Sequence, residues 1–132
     1  MEDLVTFEIA KKLKEKGFRE ECLYHYIGED LVYNIESPIA NNQLWFCHNK
    51  FDNIWHRDNY DAPTISQVLK WLREEKGWII VVRLYSTNGW YWFIQDKNGE
   101  LKSSHLASCD DCFATYEQAA LAGIEYALNY LL

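Results

Sequence analysis

The chain has 132 residues, 48% of them hydrophobic and 25% charged, a balance that excludes intrinsic disorder and low-complexity sequence. It carries a net charge of −7, which argues against bulk binding to nucleic acid or to an anionic membrane. One domain spanning residues 1–132 is the expectation at this length, and such a chain buries enough surface to need neither disulfide nor metal for its core.

No apolar run reaches the ~20 residues a membrane helix needs. The acidic start, Met1-Glu2-Asp3, lacks the basic stretch of a signal peptide, so the expected compartment is the cytoplasm. Four cysteines, at 22, 47, 109 and 112, could form two disulfides in three connectivities; in a reducing compartment they read as free thiols.

Residues 5–17 predict the first helix. Thr6 is placed as N-cap, Phe7, Ala10 and Leu13 form an apolar stripe, and Gly17 stands at the C-cap position. Lys11, Lys12, Lys14 and Lys16 fall on the opposite side, read as solvated. Between 19 and 62 the pattern weakens. Short strands are expected within 30–56, at Leu31–Ile35, Leu44–Cys47 and Ile54–His56, while Glu20–Tyr26 reads equally as strand or short helix.

Residues 64–76 predict the second helix, with Thr64 and Gln67 at capping-box spacing and Ile65, Val68, Leu69 and Leu72 on one face. A β-meander follows, with core strands at about 78–86, 90–96 and 100–106. Asn88-Gly89 is the dipeptide of a two-residue hairpin, which would set Tyr85 opposite Trp92 and Leu84 opposite Phe93. Asn98-Gly99 reads as a second turn of the same kind. Residues 115–131 predict the last helix, capped by Thr115 and Gln118; its small residues, Ala119, Ala120 and Gly123, imply close approach to the sheet. The fold class is therefore α+β: an antiparallel sheet packed against three helices.

The segment Ala62-Pro63-Thr64-Ile65-Ser66-Gln67-Val68-Leu69-Lys70-Trp71-Leu72-Arg73-Glu74-Glu75-Lys76 resembles a segment of small uncharacterised proteins of gut-bacterial phages and mobile elements. Residues 7–18 and 116–124 are similar to the opening and close of the same family. The resemblance implies a shared fold and brings no activity, because the matching segments are helical and carry no catalytic motif.

His105, Cys109 and Cys112 have the spacing of a zinc knuckle with a third ligand on the preceding strand, and Cys47-His48 could complete the set. Against this, the second ligand pair is adjacent rather than spaced, and Asp110 and Asp111 raise the thiol pKa values. The plainer reading is a polar loop with two reduced cysteines. No nucleophile elbow or phosphate-cradling glycine loop is present, and His56-Arg57-Asp58 lacks the companions of a kinase catalytic loop. Nothing nominates an enzyme.

A helix at 64–76 followed by a hairpin also fits a winged-helix DNA reader, but that helix ends in Glu74-Glu75 and the wing at 86–91 carries no cation. Twenty-one aromatic residues remain to be explained. Both faces of the hairpin are apolar, so one must be covered by something other than the helices. Tyr85, Trp90, Tyr91, Trp92 and Phe93 are the candidate interface, with another protein or a second copy of the chain as the expected partner, unless residues 19–62 themselves cover that face; a sugar platform is the lesser reading.

Overall fold

The computed structural model describes residues 3–33, 59–85, 89–104 and 112–132. The fold class is α+β, with three helices and two three-stranded antiparallel sheets among the described residues. By its contacts the chain forms two compact units, Met1–Thr64 and Ile65–Leu132.

In the first unit, α1 spans Phe7–Glu15. Thr6 caps it by accepting a hydrogen bond from the Ile9 amide at 3.3 Å. Its end is a Schellman turn. Gly17 takes φ 91°, its amide donates to Lys14 O at 3.2 Å, and the Phe18 amide donates to Leu13 O at 2.9 Å. The turn thereby folds Phe18 back to join Leu13, and both side chains are fully buried. Val5, Ile9 and Ala10 complete this core. Lys11 and Lys14 are not simply solvated: their ammonium groups lie 5.3 Å over Phe7 and 5.1 Å over Tyr60, because long lysine stems cover apolar surface.

The sheet beside α1 has the order β2-β1-β3, with β1 at Tyr24–Ile27, β2 at Asp30–Tyr33 and β3 at Asn59–Asp61. Residues 24–27 thus settle as strand rather than helix. Two of the three strands lie outside the 30–56 window expected from composition. The β1–β2 hairpin turns on Gly28, whose φ of 59° is what both primed hairpin turns require at their first central residue. The strand readings at 44–47 and 54–56 lie outside the described residues.

In the second unit, α2 spans Ile65–Trp71 and continues as a π-helical segment, Leu72–Lys76. The widened turn ends at Gly77, with φ 76°, and the Trp78 amide returns to Leu72 O at 2.9 Å. Strands β4 (Ile79–Leu84), β5 (Trp90–Gln95) and β6 (Leu101–Ser104) form the meander in that order, and α3 (Tyr116–Tyr130) packs across β4 and β5. Thr115 caps α3 through the Gln118 amide at 3.1 Å. Gln118 reciprocates one residue early, accepting from the Ala114 amide at 3.1 Å.

The hairpin register corrects the two-residue reading of Asn88-Gly89. Leu84 pairs with Trp90, Val82 with Trp92 and Val81 with Phe93, a shift of three residues. An odd shift exchanges the faces of one strand relative to the other. Ile80 and Val82 now share the face of Trp92 and Ile94, whereas Ile79, Val81 and Arg83 share that of Tyr91 and Phe93. The physical reason is Arg83. In the expected register it would stand opposite Ile94, a fully buried side chain, and a guanidinium there would lose its water without a partner.

Close approach of α3 fixes which face is covered. A Cβ on Gly123 would stand 3.0 Å from Ile80 Cγ2 and 3.3 Å from Trp92 Cγ, so any side chain there would press on both and need them to give way. Ala119, Ala120, Ile124, Ala127 and Leu128 complete the buried stripe.

The β5–β6 turn is likewise longer than Asn98-Gly99 alone. The Gly99 amide donates to Asp96 O at 3.0 Å, and Asp96 Oδ1 accepts from the amides of Asn98 at 2.9 Å and Glu100 at 3.0 Å. These bonds, the Glu100 amide foremost, with help from Lys102 at 3.7 Å, hold the Asp96 carboxyl below its ordinary value.

Two outcomes follow from this packing. Gly123→Leu should destabilise the protein by about 1–3 kcal/mol in urea unfolding through overpacking; an unchanged midpoint would mean that α3 does not rest on Ile80 and Trp92. A carboxylate with a lowered folded pKa adds stability above its unfolded pKa of about 3.9, and that stability fades as pH falls through the folded value. Asp96→Asn should therefore lower the urea midpoint at pH 7, with the gap from wild type closing below about pH 4. A gap independent of pH would remove the charge from the account.

Candidate interaction surface

The register divides the five candidate interface residues between two environments. Trp92 is 5% exposed beneath α3, its ring 5.2 Å from that of Tyr126. Trp90 is half-buried. Its amide and carbonyl exchange 2.8 Å hydrogen bonds with Phe113, and its ring meets Tyr116 edge-on at 5.6 Å. These two tryptophans build the helix-packed layer.

Tyr85, Tyr91 and Phe93 lie on the other side. Tyr85 meets Tyr91 edge-on at 6.0 Å, Tyr91 stacks on Phe93 at 6.1 Å, and the Arg83 guanidinium lies 5.5 Å over the Phe93 ring. Ile79, Val81, Tyr91, Phe93 and Gln95 are all half-exposed, and Arg83 and Tyr85 are exposed. The β4 and β5 side chains of this face thus include three aromatic or cationic groups in mutual contact and no carboxylate. Arg83 was not among the candidates read from sequence. The available signal was a single cation within an aliphatic run, which must take the wetter face.

A second aromatic feature runs along α3. Trp92, Tyr126 and Tyr130 form a continuous wall, the last two rings 4.8 Å apart, over an open cleft of about 320 Å³ that Phe113, Glu125 and Asn129 also line. Tyr130 is 72% exposed. The rings touch one another, so they make a wall and leave no slot between them for a planar ligand.

The first unit holds a buried polar group. His25 and Asp61 are directly opposed on β1 and β3 and almost wholly buried. The Ala62 amide donates to Tyr24 O, so the next pair, His25 with Asp61, is a non-hydrogen-bonded one, whose side chains approach most closely. Cys22 is buried nearby. Burial foremost, then the negative charges of Asp61, Glu20 and Glu21, push its thiol far above the ordinary range, so it is no nucleophile at neutral pH. Tyr26 points to the opposite face of the sheet, donates to Val5 O at 2.8 Å, and has its phenol pKa raised by burial. No sequence motif marked His25 or Asp61, because only the strand register brings them together.

His105 and Cys109 of the zinc reading lie outside the described residues, as do Cys47 and His48; Cys112 is half-buried with a free thiol. Among the described residues no group of three or more His, Cys, Asp or Glu side chains is placed to hold a metal ion. No helix among them is long and apolar enough to cross a membrane. No protein-family model, curated protein or solved structure matches the chain.

Proposed function

We propose that the chain is a non-enzymatic accessory protein, working in the cytoplasm, that acts through protein–protein contact and associates with itself. The observation that supports this reading is the face built from Tyr85, Tyr91, Phe93 and Arg83. It is aromatic, partly exposed and free of carboxylates on β4 and β5, while α3 lies against the opposite face. Aromatic side chains and arginine are the groups that concentrate at interface centres, because each offers large contact area with one polar handle. A symmetric dimer is the commonest way to cover such a face. The likeness of residues 7–18, 62–76 and 116–124 to small proteins of phages and mobile elements supports an accessory role.

Sedimentation equilibrium of the full chain over about 10–100 µM tests the reading, a range that captures weak interfaces of ordinary size. The expected result is a mass rising towards twice the monomer value, with Tyr91→Ser holding the chain nearer the monomer. A monomer mass throughout would overturn self-association.

A further inference from the structure

We infer that the edge of β4 pairs antiparallel with β4 of a second copy, joining two meanders into one six-stranded sheet; this rests on the self-association reading above and adds an edge contact to it. The Tyr85 amide donates to Gly89 O, and antiparallel ladders alternate hydrogen-bonded and non-hydrogen-bonded pairs. Arg83 with Tyr91, Val81 with Phe93 and Ile79 with Gln95 are therefore the bonded pairs of the β4–β5 ladder. The N–H and C=O groups of Ile80, Val82 and Leu84 point the other way. In the strand order β4-β5-β6 that other side is the sheet edge, and no described strand pairs with it.

The two edges of this sheet are built differently. The β6 side is blunted: the ladder slips at Ile94/Gln95, and Lys102 stands on it within reach of Asp96 and Glu100. A bulge and a lysine are standard protections against edge pairing. β4 has none of them. It runs six residues, Ile79-Ile80-Val81-Val82-Arg83-Leu84, without proline, without an acid and without a register slip. Such an edge is a template for strand addition.

Its sequence selects a second copy as the occupant. A two-fold axis through Val82 sets Ile80 against the partner's Leu84 and Val82 against the partner's Val82. All three outward N–H and C=O couples are then satisfied at once. Leu84, 56% exposed in the single chain, gains an aliphatic neighbour in the partner's Ile80. Arg83, the edge's lone charge, stands opposite the partner's Val81, so no like charges are directly opposed, and it keeps its place over its own Phe93 ring. The operation sets the two aromatic faces side by side on one side of the six-stranded sheet, so edge pairing leaves that face open and is separate from any contact made through it.

Amide hydrogen exchange of the full chain, read residue by residue at about 5 and 500 µM, tests the inference. Exchange at Ile80, Val82 and Leu84 should slow at least tenfold at the higher concentration, while Ile79, Val81 and Arg83 stay equally protected at both. Leu84→Lys, at an exposed position, should raise the concentration needed for assembly at least tenfold. An assembled mass with Ile80, Val82 and Leu84 exchanging quickly throughout would overturn edge pairing and leave self-association standing. Slow exchange of these three amides at both concentrations would show the edge covered within one chain and overturn the inference. A monomer at every concentration would overturn both proposals.

Discussion

The second unit depends on how closely α3 lies on β4 and β5. Gly123 offers no Cβ, so the helix descends until the Gly123 backbone is in contact range of Ile80 and Trp92. That contact consumes one face of the hairpin. Every other feature of the sheet follows from the need to present Ile80, Val82, Trp92 and Ile94 to the helix together, which requires the register that pairs Val82 with Trp92. Arg83 then faces away, and Tyr91 and Phe93 go with it. The aromatic density of β5 therefore serves two purposes: its even-numbered residues build the core layer, and its odd-numbered residues make the open face.

Much of the architecture was legible in the sequence because local chemistry and tertiary packing agree there. Thr6 and Thr115 sit where hydroxyls satisfy helix amides, and Gly17 supplies the positive φ that a Schellman turn needs. The small residues of 119–127 announced a close helix–sheet approach. What misled was the hairpin. Asn88-Gly89 is the strongest short-range turn signal in the chain, yet the two-residue loop it favours would have set Arg83 against buried Ile94. Burial of one charge costs more than a preferred dipeptide contributes, so the core decided the register.

The first unit was less legible for a different reason. β1 is only four residues long, too short for periodicity to announce it, and it meets β3 from a position more than thirty residues away. His25 and Asp61 carry no spacing signal for the same reason. Their burial beside Cys22 is a product of sheet pairing, and it leaves that thiol protonated rather than reactive. The candidate surface was half visible: Tyr85, Tyr91 and Phe93 lie on the open face, Trp90 and Trp92 do not, and Arg83 completes it.

The partition of side chains between the two faces of the hairpin is the claim on which the rest stands, and one measurement reads it directly. Non-hydrogen-bonded pairs in an antiparallel ladder bring their Hα atoms into close contact. Nuclear Overhauser spectra should show strong Hα–Hα contacts for Val82 with Trp92 and for Ile80 with Ile94, in keeping with the register that places Arg83 among Tyr91 and Phe93. Hα–Hα contacts of Leu84 with Phe93, or of Val82 with Gln95, which are the non-hydrogen-bonded pairs of a two-residue hairpin, would mean that the hairpin closes on Asn88-Gly89 after all. They would contradict the assignment of both faces.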